Sequence, residues 1–394
     1  MKNKLIYIII LSLLLPLAQG CSLSGSIYEN YRELEQIRLI EVMGIDSGGD
    51  GTTLSIAAGP GVGENASPVL MHATSSGITG AISTLQDYAA SEDLYYAHTQ
   101  YLIFGSGAAG EGLERYLDYI DRSPMLRMGI SMYVVRGGTA QELVDGTGGE
   151  SYDVSAVLAS LERDAEKRGE VCLTTCRDVV RRLSRSGAAL AVALEIRDMD
   201  KVSSEAEGGG KTAIPTGYCV IRGGRTAGWI LGKPAAAVGM LTNRAAALPV
   251  SLSDGQGGQT EVTLTGCKCA ITPVWENGRP VRFDVSFRLE SAIVELENPE
   301  TLLSTGSPEE LARRLESTVC EWAETVLNKS RELKADFLGL GVMAQRAEPK
   351  QFSALNGSWP EQLAQAEFRV TAEATVERSY DLTRPAQTEG RETA

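Results

Sequence analysis

The chain has 394 residues, a formal net charge of −14, and 43% hydrophobic against 22% charged residues. That length supports two or three folded domains with an ordinary globular share of apolar residues. The acidic balance, without a basic stripe to neutralise phosphates, argues against nucleic-acid binding and against electrostatic adhesion to anionic lipid.

At the start, Lys2 and Lys4 precede an apolar run from Leu5 to Leu17. A helix needs about 20 apolar residues to cross the hydrocarbon core, so this shorter run has the length and flanks of a secretory signal peptide. Leu17-Ala18-Gln19-Gly20-Cys21 follows, placing a thiol directly after a glycine. The junction resembles the lipobox of bacterial lipoproteins, in which cleavage before the cysteine leaves it as a diacylglyceryl-modified first residue. That resemblance implies removal of residues 1–20 by cleavage between Gly20 and Cys21, with lipid on Cys21. A plain signal peptide followed by a free or paired Cys21 thiol is the alternative. Each buried methylene contributes about 0.8 kcal/mol and a single acyl chain binds only marginally, so two or three chains on Cys21 would hold the protein at a membrane. No later run approaches membrane-spanning length, which places the body on the bilayer rather than through it.

Residues 21–30 form a Ser/Gly-containing tether. Leu39 to Ile45 is apolar and runs into the Gly/Asp cluster of 46–51, and Thr52 to Ala58 returns, which predicts a hairpin with a long turn. Residues 59–68 read as loop. Ser76 to Ala89 carries helical spacing, with Ile78, Ile82, Leu85 and Tyr88 on one face. Leu94 to Phe104 is strand-like, Gly112 to Ile120 is a second amphipathic helix stopped at Pro124, and Gly129 to Val135 is another strand. Helices at about Asp153–Glu166 and Thr174–Ser186 precede an apolar strand from Ala188 to Ile196.

Residues 200–213 concentrate Gly, Ser and charge and read as a linker. Beyond it, Arg222-Gly223-Gly224-Arg225 and Asn277-Gly278 are hairpin turns, the second because both residues tolerate positive φ. The strands they join are Gly217–Ile221 with Thr226–Leu231, and Thr260–Val274 with Val281–Leu296. Ser307-Pro308-Glu309-Glu310 opens a helix with an N-cap, a first-turn proline and a capping box. Leu311, Leu315, Val319, Trp322 and Val326 line one of its faces. A last strand spans Phe368–Val376, and 383–394 is a polar tail expected to lack order. The fold class is α/β, with mixed sheets and packed helices. It divides into 31–199, two subdomains with a boundary near 140–150, and a C-terminal α/β domain over 214–382.

Catalytic constellations are scarce. His72 and His98 are the two histidines, and neither a nucleophile elbow nor a zinc-protease helix occurs around them. His98 lies among aromatics and reads as a packed, hydrogen-bonded residue. Gly59-Pro60-Gly61-Val62-Gly63 lacks the Lys-Ser/Thr of a phosphate loop. Asp46, Asp50 and Glu64 sit near glycines without matching a calcium loop. Cys172, Cys176, Cys219, Cys267, Cys269 and Cys320 lack metal-ligand spacing and read as buried free thiols; Cys267 and Cys269 share a strand face, which disfavours a bridge between them. No catalytic, cofactor-binding or metal residue is assigned.

Several stretches together resemble the Ger(x)C family, the lipoprotein C subunits of spore germinant receptors. They are Tyr31-Arg32-Glu33-Leu34-Glu35 with Val42-Met43-Gly44-Ile45-Asp46, then Leu94 to Gln100 and Leu117 to Pro124. Gly228-Trp229-Ile230-Leu231 and Lys334-Ala335-Asp336-Phe337-Leu338-Gly339-Leu340-Gly341, with Trp359 downstream, complete the set. The resemblance covers most of residues 21–382. It implies an elongated three-domain α/β lipoprotein on the outer face of the inner spore membrane. Its partners would be two integral membrane receptor subunits of the A and B types, and it would carry out no catalysis. Gly44 and Gly339 are expected to permit turns, and Trp229 and Trp322 to be core. Two other readings compete: a solute-binding lipoprotein of a transporter, which needs a hinged two-lobed cleft, and a surface hydrolase using paired carboxylates.

Overall fold

The computed structural model describes residues 37–49, 51–59, 69–89, 92–146, 153–198, 211–245, 247–253, 259–296, 308–355 and 357–377. The expected signal peptide over 1–20, Cys21 and the expected tether, the Tyr31–Glu35 motif, Asp50, Glu64, residues 200–210, the expected Ser307 cap and residues 383–394 lie outside them.

Strands β1 (Ile37–Gly48) and β2 (Gly51–Ala58) pair antiparallel from Ile40↔Ala58 to Gly48↔Gly51. The turn is tighter than predicted, because Asp46, Ser47 and Gly48 stay in the ladder. Strand β3 (Val69–Ser75) adds to β2; Val69, Met71 and Ala73 alternate toward the core, while Leu70, His72 and Thr74 are exposed. Helix α1 (Ile78–Tyr88) buries Ile78, Ala81 and Leu85 and leaves Tyr88 72% exposed, so its inward face turns through Ala81 rather than Tyr88.

The predicted strand over 94–104 is two strands, β4 (Asp93–Tyr95) and β5 (Tyr101–Phe104), separated by a 3-10 turn over Tyr96–His98. Both pair in parallel with β1, at Leu39↔Tyr95 and Val42↔Tyr101. The turn lets one long strand be matched by two short ones and carries Tyr96 into the core. Helices α2 (Ser106–Glu111) and α3 (Glu114–Arg122), strand β6 (Ser131–Val135), helices α4 (Ala140–Asp145), α5 (Val154–Arg168) and α6 (Cys176–Ser186), and strand β7 (Ala188–Asp198) follow. The hairpin β8 (Lys211–Arg222) and β9 (Arg225–Leu231) turns at Gly223 and Gly224 as its sequence required.

These strands build one nine-stranded sheet in the order β3-β2-β1-β5-β6-β7-β8-β9, with β4 beside β1. The centre, β1-β5-β6-β7, is parallel and both flanks are antiparallel. Every residue of β5 and residues 188–194 of β7 are buried, the continuous apolar signature of strands covered on both faces. Leu85, Ile120 and Val179 of α1, α3 and α6 pack on one face. Val144 and Leu158 of α4 and α5 pack on the other, in a core that continues into the C-terminal half. The sheet runs across both sequence boundaries: β6 and β7 pair from either side of 140–150, and β8, which starts at Lys211 within the 200–213 stretch expected as linker, pairs with β7. Gly44 sits within β1 rather than at a turn. A Cβ there would lie 3.1 Å from both Ala140 Cβ and Val144 Cγ2, so its missing side chain is what lets α4 rest on the strand.

The second sheet is β10 (Leu248–Ser253), β11 (Gln259–Glu276), β12 (Arg279–Leu296) and β13 (Glu367–Glu377), in that order, with β12 and β13 parallel. Asn277 (φ 50°) and Gly278 (φ 77°) make the β11–β12 turn. Between β9 and β10 lies α7 (Ala236–Leu241), every residue of which is buried. Phe283, Val285, Phe287 and Leu289 alternate inward along β12 and share one core with α8 (Pro308–Glu332), through Leu311, Leu315, Val319 and Val326. Trp322, predicted in that stripe, is half-buried at its edge. Helices α9 (Leu340–Ala347), α10 (Pro349–Ala354) and α11 (Trp359–Gln365) return the chain to β13.

Candidate functional site at the junction of the two sheets

Two motif aspartates are helix clamps. Asp46, 7% exposed, accepts the backbone N–H groups of Ala140 and Gln141, each at 2.8 Å, at the start of α4. Burial pushes its carboxyl above the usual range, and those two donors pull it partly back. Each oxygen takes one donor, and Asp50 and Glu64, the other residues of the calcium reading, lie outside the described residues. Asp336, 2% exposed, does the same for α9: Oδ1 accepts Gly339 N (2.8 Å) and Leu340 N (2.7 Å), while Oδ2 accepts Gly341 N (2.7 Å) and Trp359 Nε1 (3.0 Å). Gly339 is left-handed (φ 82°), the turn expected of it. A Cβ at Gly341 would meet Trp359 Nε1 at 2.8 Å, so this position must be glycine for the indole to reach the carboxylate. The Asp-Phe-Leu-Gly-Leu-Gly and Gly-Ile-Asp stretches are therefore structural.

That clamp stands where the C-terminal half meets the first sheet. Arg182 Nη1 of α6 donates to Phe337 O at 2.7 Å, and Arg222 Nη1 of β8 to Leu333 O at 3.3 Å. Gly228 of β9 lies so close to Leu333 that a Cβ would sit 2.9 Å from its Cδ1. Trp229, expected as core, is half-buried against the α3–α6 face.

Two cavities open along this junction. The larger, about 610 Å³, lies between the β7–β8 end of the first sheet and β10, with Trp322 in its apolar wall. Within it Glu195 accepts from Arg136 Nη1 (2.5 Å) and Arg197 Nη2 (3.3 Å), which hold its carboxyl below the usual range. A hydrolase acid needs the opposite shift. The smaller, about 230 Å³, is lined by Thr174, Asp178, Arg181, Arg182, Tyr218 and Arg244 among others. Asp178 completes a capping box with Thr175 at the start of α6 and accepts from Arg181 Nη2 at 2.8 Å. Burial works to raise its carboxyl, but Thr175 and the charges of Arg181 and Arg244 outweigh it, and the group lies below the usual range. Arg244 Nη2 donates to Leu173 O at 2.8 Å. This second cavity was missed in the sequence. Arg181-Arg182 and Thr174-Thr175 were visible as pairs, but Arg244 joins them only through the fold.

His72 is exposed on β3. His98, predicted to pack among aromatics, is instead exposed on the 3-10 turn, with Nε2 3.3 Å from Gln100 Nε2, because Tyr96 takes the inward position. The six cysteines from Cys172 to Cys320 are free thiols, but only Cys176 and Cys219 are buried; Cys172, Cys267, Cys269 and Cys320 are half-buried. Cys267 and Cys269 pack against the same core. Burial pushes Cys176, Cys219 and Cys269 up to about 12 and Cys267 up to about 11. Among the described residues no group of three or more His, Cys, Asp or Glu side chains is placed to hold a metal ion.

Comparison with known proteins bears on this architecture. Residues 30–196 match the spore germination protein N-terminal domain, and residues 216–380 match the domain described as spore germination B3/GerAC like, C-terminal. The two matches meet across the Gly/Ser segment although the sheet crosses it. The crystal structure of the GerBC protein is similar in fold, with a TM-score of 0.55 and 15% identity over 85% of this chain and 96% of that one. No curated protein matches the chain significantly. With both domains matched in order over most of its length, the chain belongs to the GerAC/GerBC, or Ger(x)C, family of spore germination proteins.

Proposed function

We propose that the chain is the lipid-anchored, non-enzymatic subunit of a spore nutrient-germinant receptor. It acts on the outer face of the inner spore membrane beside integral membrane subunits of the A and B types. The observation that carries this reading is the ordered pair of germination domains behind the Gly20-Cys21 junction. Among the described residues no helix is long and apolar enough to cross a membrane; in this reading diacylglyceryl on Cys21 supplies the attachment. Acyl chains hold the acidic body at a surface that would otherwise repel it. The body presents two sheet modules to its partners, and in the large cleft the Glu195 carboxylate is held by Arg136 and Arg197.

Fractionation of sporulating cells carrying Cys21→Ala tests the anchor. The wild-type chain is expected in the membrane fraction and the variant in the soluble one; equal retention of both would reject lipid attachment at Cys21.

A further inference from the structure

The small cavity beside α6 has features that the receptor reading does not use. Three guanidinium groups, Arg181, Arg182 and Arg244, face one cavity of about 230 Å³ in a protein whose net charge is −14. Each guanidinium carries five N–H donors. The protein takes one from Arg181 for Asp178, one from Arg182 for Phe337 O and one from Arg244 for Leu173 O. The nearby carboxylates are already committed. Asp178 is held by Thr175 and Arg181, and Asp336 by four donors of its own clamp. Burial disfavours the Arg182 cation; the charges of Asp336 and Asp178 offset this in part, and those of Arg181 and Arg244 add to it. Clustered cations of this kind persist where something negative joins them.

A second observation is independent of charge. Thr174, in the wall of the same cavity, is 8% exposed and its Oγ1 has no hydrogen-bond partner. Buried hydroxyls are almost always paired, with protein or with ordered water, and Thr174 shares its lack of a partner with Ser47, Ser55, Tyr96, Thr99 and Thr216 elsewhere in the chain. Thr174 also precedes Thr175, the N-cap of the eleven-residue α6, whose N-terminus carries partial positive charge.

We propose that this cavity is a binding site for a small oxyanion, a phosphate or a carboxylate compound, held by Arg181, Arg182 and Arg244 with Thr174 as hydroxyl donor. Planar guanidinium forks suit both anion types. Because Arg182 is bonded to Phe337 and Arg244 to Leu173, an occupant would tie α6, the segment after α7 and the segment before α9 together. The site does not depend on the receptor assignment.

The test is calorimetric titration of the full chain, purified from membranes in detergent, with inorganic phosphate, succinate or chloride at constant ionic strength. Phosphate, succinate or both are expected to bind at least ten-fold tighter than chloride, and the arm that responds identifies the class. Arg244→Gln and Thr174→Val are each expected to weaken that binding by about ten-fold. Near-ultraviolet circular dichroism confirms folding, with the exposed Arg181→Gln replacing Arg244→Gln if the latter misfolds. Binding no tighter than chloride in both arms, or binding unchanged in the folded variants, overturns the proposal.

Discussion

Replacing Asp336 by asparagine keeps the shape of the clamp and removes half of its chemistry. The carboxylate accepts four N–H donors, two on each oxygen. An amide offers one acceptor oxygen and turns an NH2 group toward the other pair of donors. In the favourable orientation Gly339 and Leu340 keep their partner, and Gly341 N–H and Trp359 Nε1–H face another donor. A hydrogen bond to a charged acceptor contributes about 1.5–3 kcal/mol, so the two losses amount to roughly 3–6 kcal/mol. An amide costs less to bury than a carboxylate, which brings the expected destabilisation to about 3 kcal/mol, or about a hundred-fold in the folding equilibrium. Urea titration followed by tryptophan fluorescence reads this directly, since Trp359 is part of the clamp. A midpoint shift with unchanged slope is expected. A loss below about 1 kcal/mol would refute the view that this carboxylate pins α9 and α11.

Three further outcomes are expected. Gly44→Ala places a methyl 3.1 Å from Ala140 Cβ and Val144 Cγ2; overpacking of this kind costs about 1–3 kcal/mol, and a thermal melt no lower than wild type would contradict it. Asp178 has a carboxyl held below its unfolded value, so its contribution is present above that value and is lost as pH falls through the folded one. Stability should therefore decline below about pH 4, and Asp178→Asn should flatten that part of the profile in acid denaturation curves. The thiols of Cys176, Cys219, Cys267 and Cys269 are raised by burial; at pH 8 iodoacetamide should label them slowly in the native protein and fully in denaturant, and equal rates would show that they are not protected.

What could be read from the chain was what local chemistry decides. Gly223-Gly224 and Asn277-Gly278 turn because their neighbours in sequence demand positive φ, and α8 announces itself through an apolar stripe repeated over many turns. Helices α2, α4 and α7 have six residues each, too few for periodicity to separate from noise. The β4–β5 break could not be seen either, because it is set by two segments sharing β1 as a neighbour. The family motifs were recognisable while their purpose was not. Asp336 finds Trp359 only through the packing of α11, and Gly44 needs α4, almost a hundred residues later. The small cavity is the extreme case, with Arg244 bonded to a carbonyl at Leu173.

The receptor assignment is tested most directly in spores. A strain lacking this chain is complemented with the wild type or with Cys21→Ala, and nutrient-triggered germination is scored by loss of optical density. Wild type is expected to restore germination to the nutrients whose response the deletion removes, and Cys21→Ala to fail while the chain is still made. Normal germination of the deletion strain to every nutrient, with no second copy of the subunit in the genome, would contradict the assignment.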